Sequence, residues 1–292
     1  MKDLEQGTAA EKAGAEQKKR KSLRIVLIGL CVVLAAVFAV SLYMVIDYYR
    51  NANEEQGIID RLKDYAASES EREAAARPTL PSGSGGSGAV SGDGRASDGG
   101  GAPFVSQYAA LHDINPDYVG WLYMEGTLID YPVMYSPYDI EYYSRRTVFG
   151  ADSRGGTPFI GPDADIDSDC FYIYGHNMSS GLFFGTLHYY EDPEFVKEHP
   201  RFTFETLTER RTYEIFGVLK TIVRYEGNGF LYYGYPGEMS EDRFDEFVEN
   251  IKKESIVECD VEPEFGDQLL VVSTCSYHTP TGRFVVVGRR IE

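Results

Sequence analysis

Residues 25–46 contain no charged side chain, and this one run divides the chain before anything else is considered. A helix needs about 20 apolar residues to cross the hydrocarbon layer of a bilayer. Inside hydrocarbon the backbone must satisfy its own hydrogen bonds, so the run reads as a helix. The competing reading is a cleaved signal peptide. Its apolar core would be shorter, about 7–15 residues, with a small-x-small cleavage site behind it. Here the run is long and ends in "YMVIDYYR", which favours an uncleaved anchor. Lys18, Lys19, Arg20, Lys21 and Arg24 precede it, and only Arg50 follows closely. By the positive-inside rule the N-terminus is predicted to stay in the cytoplasm and the bulk of the chain to lie outside a cell membrane crossed once.

The run therefore sets the organisation. Residues 1–22 are a polar cytoplasmic tail and 23–47 the transmembrane anchor. Residues 48–103 are an extracellular linker, first charged and helical ("EEQGIIDRLKDYAASESEREAAAR"), then rich in Gly and Ser ("PTLPSGSGGSGAVSGDGRASDGGGAP"). The second part cannot form a packed core and reads as a flexible tether. A folded domain is predicted over 104–292. The net charge of −18 argues against a nucleic-acid partner, which needs clustered Lys and Arg.

Within the domain, "PFVSQYAALHDIN" reads as a short helix. Asn115 can cap a second one with Pro116 at its first position, so "NPDYVGWLYM" is also predicted helical. Short runs rich in Val, Ile, Tyr, Phe and Thr follow, separated by turn residues: "TLIDYPVMY", "PFIG", "CFYIYG", "RFTFETL", "TYEIFGVLKTIVRY", "QLLVVSTC" and "RFVVVGRRI". A helix capped by Ser240 interrupts them, with Phe244, Phe247, Val248 and Ile251 on one face. Seven or eight strands with few helices predict a mainly β fold, a closed or nearly closed barrel.

Four cysteines occur, Cys31, Cys170, Cys259 and Cys275, with no C-x-x-C pair to suggest a zinc ribbon or a redox motif. Cys31 lies in the apolar run, which leaves an odd number for the rest of the chain. Cys170 and Cys259 can pair or stay buried. Cys275 ends an apolar run, and for one such cysteine the plain reading is an inert core thiol. Arg283 changes this. If 276–282 is the loop between two antiparallel strands, Cys275 and Arg283 share a sheet edge. A guanidinium there favours a thiolate and can hydrogen-bond an oxyanion formed on a carbonyl. His176 follows an apolar run that ends in Gly175, a place where a barrel presents working groups. Cys, His and Arg together supply a nucleophile, an acid/base and an electrostatic stabiliser. His278 is a competing base on a less rigid loop. Cys275 and His278 do not make a metal site, since no second ligand pair completes it. Neither a metal nor a cofactor is expected.

Residues "YGHNMSSGLFFGTLHYYEDPEF", "LLVVSTCSY" and "GRFVVVGRR" resemble the sortases, and more particularly class B. Segments "INPDYVGWLYMEGTLIDYPVMYSPYDIEYYSRRTVFG" and "GGTPFIGPDADI" resemble that class too, and the helix at 240–257 fits the extra helix that class B carries before the cysteine strand. The likeness covers about 104–292. It implies a closed eight-stranded sortase-type barrel with N-terminal helices. It also implies a membrane-anchored cysteine transpeptidase of a Gram-positive cell surface, which cuts a C-terminal sorting signal of secreted proteins through a thioester. An amine of peptidoglycan, of its lipid-linked precursor or of a pilin lysine would then resolve the thioester. Carried over, Cys275 is the nucleophile, His176 the general acid/base and Arg283 the stabiliser of oxyanion and substrate. Tyr174 and Ser273 match positions that line the class B groove. Asp139 stands in "SPYDIEYY" where class B often has Asn, and is expected to bind substrate in its place.

Other readings use the same residues. A cysteine peptidase would only hydrolyse its target, and a non-catalytic surface module would only bind. The intact Cys, His and Arg set argues against the second.

Overall fold

The computed structural model describes residues 2–76, 104–223 and 229–292. The Gly/Ser-rich tether expected before residue 104 lies outside the described residues. The chain divides into two compact units, Met1–Glu54 and Glu55–Glu292. The first is helical throughout its described length, as part of helix α1 (Lys2–Ala76). It holds a stretch long and apolar enough to cross a membrane, with a mean hydropathy of 2.7.

The second unit is a closed barrel of eight strands. In chain order these are β1 (Tyr118–Tyr123), β2 (Asp130–Met134), β3 (Phe159–Ile160), β4 (Cys170–Tyr174), β5 (Arg201–Thr206), β6 (Arg210–Ile222), β7 (Leu269–Cys275) and β8 (Gly282–Arg290). Around the barrel they run β1-β2-β3-β4-β7-β8-β6-β5, and β5 closes back on β1. Closure removes the unpaired edges that an open sheet would expose. Among the described residues three further α-helices join them: α2 (Leu111–Ile114), α3 (Pro193–Glu198) and α4 (Glu241–Glu254).

Each of the seven apolar runs contains one strand, β2 to β8. The eighth strand, β1, lies in the segment predicted to be helical. Asn115 does begin a local turn, its Oδ1 accepting from the Asp117 amide at 3.0 Å. But its Nδ2 donates to Tyr143 Oη and to the Val148 carbonyl, which anchors the turn to the body. The chain then enters β1 between β2 and β5 and takes ladder bonds on both sides. Tyr118, Trp121 and Leu122 are buried there. Tertiary pairing overrides the cap signal. The helix expected over 103–115 is reduced to the single turn α2.

Strands β4, β7 and β8 are buried on both faces, which is why they read as nearly continuous apolar runs. Phe171, Ile173, Leu270, Val272, Phe284 and Val286 belong to the larger core. Their alternating neighbours Cys170, Tyr172, Leu269, Val271, Val285 and Val287 pack in a second core with the Phe244, Phe247, Val248 and Ile251 face of α4. Gly217, at a bulge in β6, lets α4 approach closely, since a Cβ there would sit 2.3 Å from Ile251 Cγ2.

A second difference concerns where the folded body starts. The sequence predicts a start near Phe104, yet Ile59, Leu62 and Ala66 on the last part of α1 are buried. Ile59 and Leu62 join the barrel core. Lys63 pairs with Asp130 at 2.5 Å, and Asp130 also accepts from Trp121 Nε1 at 2.6 Å. Ile58, Ile59, Leu62 and Ala66 stand among many charges, which makes the segment look like a linker.

Candidate active site

The parallel pairing of β4 with β7 builds the site. Cys170 opposes Leu269 and Tyr174 opposes Ser273, so both strands run out of the barrel at the same rim. His176 lies two residues beyond the end of β4, and Cys275 is the last residue of β7. Antiparallel pairing of β7 with β8 sets Cys275 directly opposite Arg283, as the hairpin reading expects. Side chains alternate along a strand. Ser273 and Cys275 therefore share the face of Leu269 and Val271, and Arg283 shares that of Val285 and Val287. That is the face α4 covers lower down. Beyond α4 it opens into a cleft of about 390 Å³, lined among others by Tyr174, His176, Ser273, Cys275 and Arg283.

Cross-strand bonds fix this rim. Thr274 Oγ1 donates to the Gly175 carbonyl at 2.7 Å, and the Gly175 amide donates to the Ser273 carbonyl at 3.3 Å. Asn177 Nδ2 donates to the Cys275 carbonyl at 2.8 Å, and Tyr277 Oη donates to the Asn177 carbonyl at 2.8 Å. The residues flanking histidine and cysteine are thus tied directly to one another. His176 Nε2 lies 2.8 Å from the Ser144 carbonyl. A carbonyl only accepts, so Nε2 carries a hydrogen and Nδ1 is left as the atom that can gain or lose a proton. Cys275, His176 and Arg283 are all half-buried, reachable from solvent yet held by the rim.

The floor beneath is neutral and hydrogen-bonded. Ser273 is fully buried, and its Oγ lies 2.8 Å from Tyr232 Oη. Tyr172 Oη donates to the Tyr232 carbonyl at 2.6 Å. Burial pushes the Tyr232 phenol up to about 12, the Ser273 contact pulling partly the other way. Burial likewise raises Tyr174 well beyond its ordinary range, although Arg283 opposes the shift. Both phenols stay uncharged at neutral pH.

Asp139 does not belong to this arrangement. It is exposed, in a turn where its amide donates to the Ser136 carbonyl and its carbonyl accepts from the Tyr142 amide. Ile140, Glu141 and Ser144, further along the same segment, line the cleft instead. His278 is exposed, its Nδ1 2.8 Å from Ser276 Oγ. Cys170 is buried and Cys259 half-buried, and both are free thiols. Among the described residues there is no cluster of three His, Cys, Asp or Glu side chains that could hold a metal ion. Sequence reasoning misses Ser144, Asn177 and Tyr232. Of these, only Asn177 carries a signal, as the residue next to His176.

Sortase B of Listeria monocytogenes is 30% identical to this chain over 186 residues, which cover 62% of this chain and 72% of that protein. The fold is also that of a Staphylococcus aureus sortase B–substrate complex, with a TM-score of 0.65 at 19% identity over 83% of this chain and 99% of that one. A sortase B complexed with triglycine has a TM-score of 0.56 at 24% identity, over 64% of this chain and 86% of that one. No family model matches the sequence.

Proposed function

This chain belongs to the sortase B family of cysteine transpeptidases, and from that premise we propose that it cleaves a C-terminal sorting signal of secreted proteins and passes them to an amine of peptidoglycan or its lipid-linked precursor. The observation that carries the assignment of roles is the register pair Cys275–Arg283 at the rim shared with His176.

In this reading the Cys275 thiol gives its proton to Nδ1 of His176, and the thiolate Sγ attacks the scissile carbonyl carbon. The developing oxyanion is met by the Arg283 guanidinium, a preorganised donor in a partly desolvated cleft. The C–N bond breaks, and the leaving amine takes a proton from Nδ1 of His176, while Nε2–H stays on the Ser144 carbonyl. The product is a thioester on Cys275. An incoming amine then attacks that carbonyl, Nδ1 of His176 accepts the proton the amine loses, the C–S bond breaks as the new amide forms, and His176 returns the proton to the departing thiolate. Tyr174 shapes the cleft wall against the substrate backbone, and Ser273, bonded to Tyr232, forms the neutral floor beneath it.

The substrate complex of the S. aureus relative and the triglycine complex support a peptide donor and an amine acceptor for this chain. The apolar stretch of α1 supports a single-pass anchor, and the basic residues before it support a cytoplasmic N-terminus with the barrel outside. We assign 1–22 to the tail, 23–47 to the anchor, 48–103 to the linking segment and 104–292 to the catalytic body, with the docked part of α1 as an added layer on it.

The test uses the full chain in detergent with a library of sorting-signal peptides, with and without triglycine. Cleavage that needs Cys275 and yields a peptide–triglycine product is expected. Cleavage that persists in Cys275→Ala overturns the nucleophile, and hydrolysis alone with every wall-like amine overturns transpeptidation in favour of a peptidase.

A further inference from the structure

Glu55 is 8% exposed, a carboxylate on the docked part of α1 that the mechanism above does not use. Its Oε1 accepts from Ser153 Oγ at 2.8 Å and from the Gly155 amide at 2.9 Å. Its Oε2 is buried with no hydrogen-bond partner. A buried carboxylate with one bare oxygen is costly, and it is retained here at the base of one cleft wall.

The loop it holds leads to the histidine. Ser153 Oγ accepts from the Gly156 amide at 3.0 Å, and the Ser153 amide donates to the Arg145 carbonyl at 2.9 Å. The Thr157 amide donates to the Tyr143 carbonyl at 2.9 Å, and Thr157 Oγ1 donates to the Arg146 carbonyl at 2.9 Å. Between them Gly156 has a φ of +63°, and a Cβ there would lie 2.5 Å from the carbonyl oxygens of Tyr143 and Ser144. The loop 153–157 is thus pressed onto the segment 143–146. Within that segment, the Ser144 carbonyl receives His176 Nε2–H. Gly155, Thr157 and Ser144 all line the cleft.

We propose that Glu55 is a positioning residue of the active site: through the loop 153–157 it sets the Ser144 carbonyl that orients His176 and fixes its tautomer. This rests on the role given to His176 above. Glu55 touches neither substrate nor the reacting atoms. Its effect falls on the chemical step, because a small misplacement of an acid/base group costs rate steeply.

The full chain in detergent, labelled with 15N at histidine, is compared as parent, Glu55→Ala, Glu55→Gln, Ser153→Ala and Lys63→Ala. Gln keeps an oxygen to accept both bonds. Ser153→Ala breaks the same chain one link later. Lys63→Ala cuts the other anchor of α1, the pair with Asp130, and controls for loosening of the helix alone. The expected result is loss of the slowly exchanging Nε2–H resonance of His176 in Glu55→Ala and Ser153→Ala. It is restored in Glu55→Gln and kept in Lys63→Ala. With a cleavable sorting-signal peptide, kcat falls on the order of tenfold in the two broken variants while KM stays within about a factor of two. An unchanged histidine resonance in both Glu55→Ala and Ser153→Ala overturns the proposal, and so does an equal loss in Lys63→Ala. Should no peptide be cleaved by the parent, the reading of function fails, and the histidine resonance still decides the role of Glu55.

Discussion

At the scale of single residues the site divides labour between charge and geometry. Arg283 stands opposite Cys275 by register, so with the roles proposed above Arg283→Ala is expected to lower kcat by about 10²–10³-fold. Lysine keeps the charge and loses the planar fork, so Arg283→Lys should fall between the two in a peptide-cleavage assay. The thiols differ in the opposite way. Burial pushes Cys170 up to about 12, so it stays protonated and unreactive at pH 8. Alkylation of the native protein, mapped by peptide mass spectrometry, should mark Cys275 and spare Cys170 until the protein unfolds. Tyr232→Phe removes the partner of the fully buried Ser273 Oγ, and urea unfolding should show a loss of about 1–3 kcal/mol. Cys275, His176 and Arg283 meet at one rim because each stands at or just beyond the end of an apolar run that the sequence marks as a strand, and the resemblance to sortases is what suggests their roles. Ser144 is not legible, because it acts through a backbone carbonyl that every residue possesses. Glu55 is hidden in a segment where Glu54, Asp60, Arg61, Asp64 and Arg72 are exposed.

At the scale of elements, what is legible follows from periodicity and what is missed follows from context. Strands β4, β7 and β8 announce themselves as apolar runs because a core lies on each side of them. The face of α4 is equally plain, since Phe244, Phe247, Val248 and Ile251 recur at helical spacing and all four are buried. Strand β1 is misread because Asn-Pro is a strong local signal for a helix start, while pairing with β2 and β5 is not local. The docked part of α1 is misread because Ile58, Ile59, Leu62 and Ala66 are too few apolar positions to stand out among acidic and basic neighbours. Its contribution is measurable. Leu62 is 1% exposed, and Leu62→Ala in the full chain should lower stability by about 2–5 kcal/mol in chemical denaturation. A change near zero would mean that the helix rests on the barrel without supporting it.

At the scale of the whole molecule, the chain joins an apolar helix to a barrel with a rim of functional residues. The full chain should remain with the membrane pellet through alkaline carbonate washing, and a variant lacking residues 1–54 should be soluble and still cleave peptide. Recovery of the full chain in the supernatant would remove the anchor from the account. The barrel's topology has one more consequence. Asn177, beside the histidine, and Cys275 are 98 residues apart in sequence, and the parallel ladder between β4 and β7 is what joins their ends. Closing so long a loop is slow and comes only with non-local pairing. Until it closes, Cys275 has no imidazole beside it, even where the local hairpin of β7 and β8 has set Arg283 opposite. A chain still folding therefore carries the Cys275 thiol without its proposed acid/base, and the site is complete only when the barrel is closed. Assembly of the fold is itself the safety catch on the chemistry.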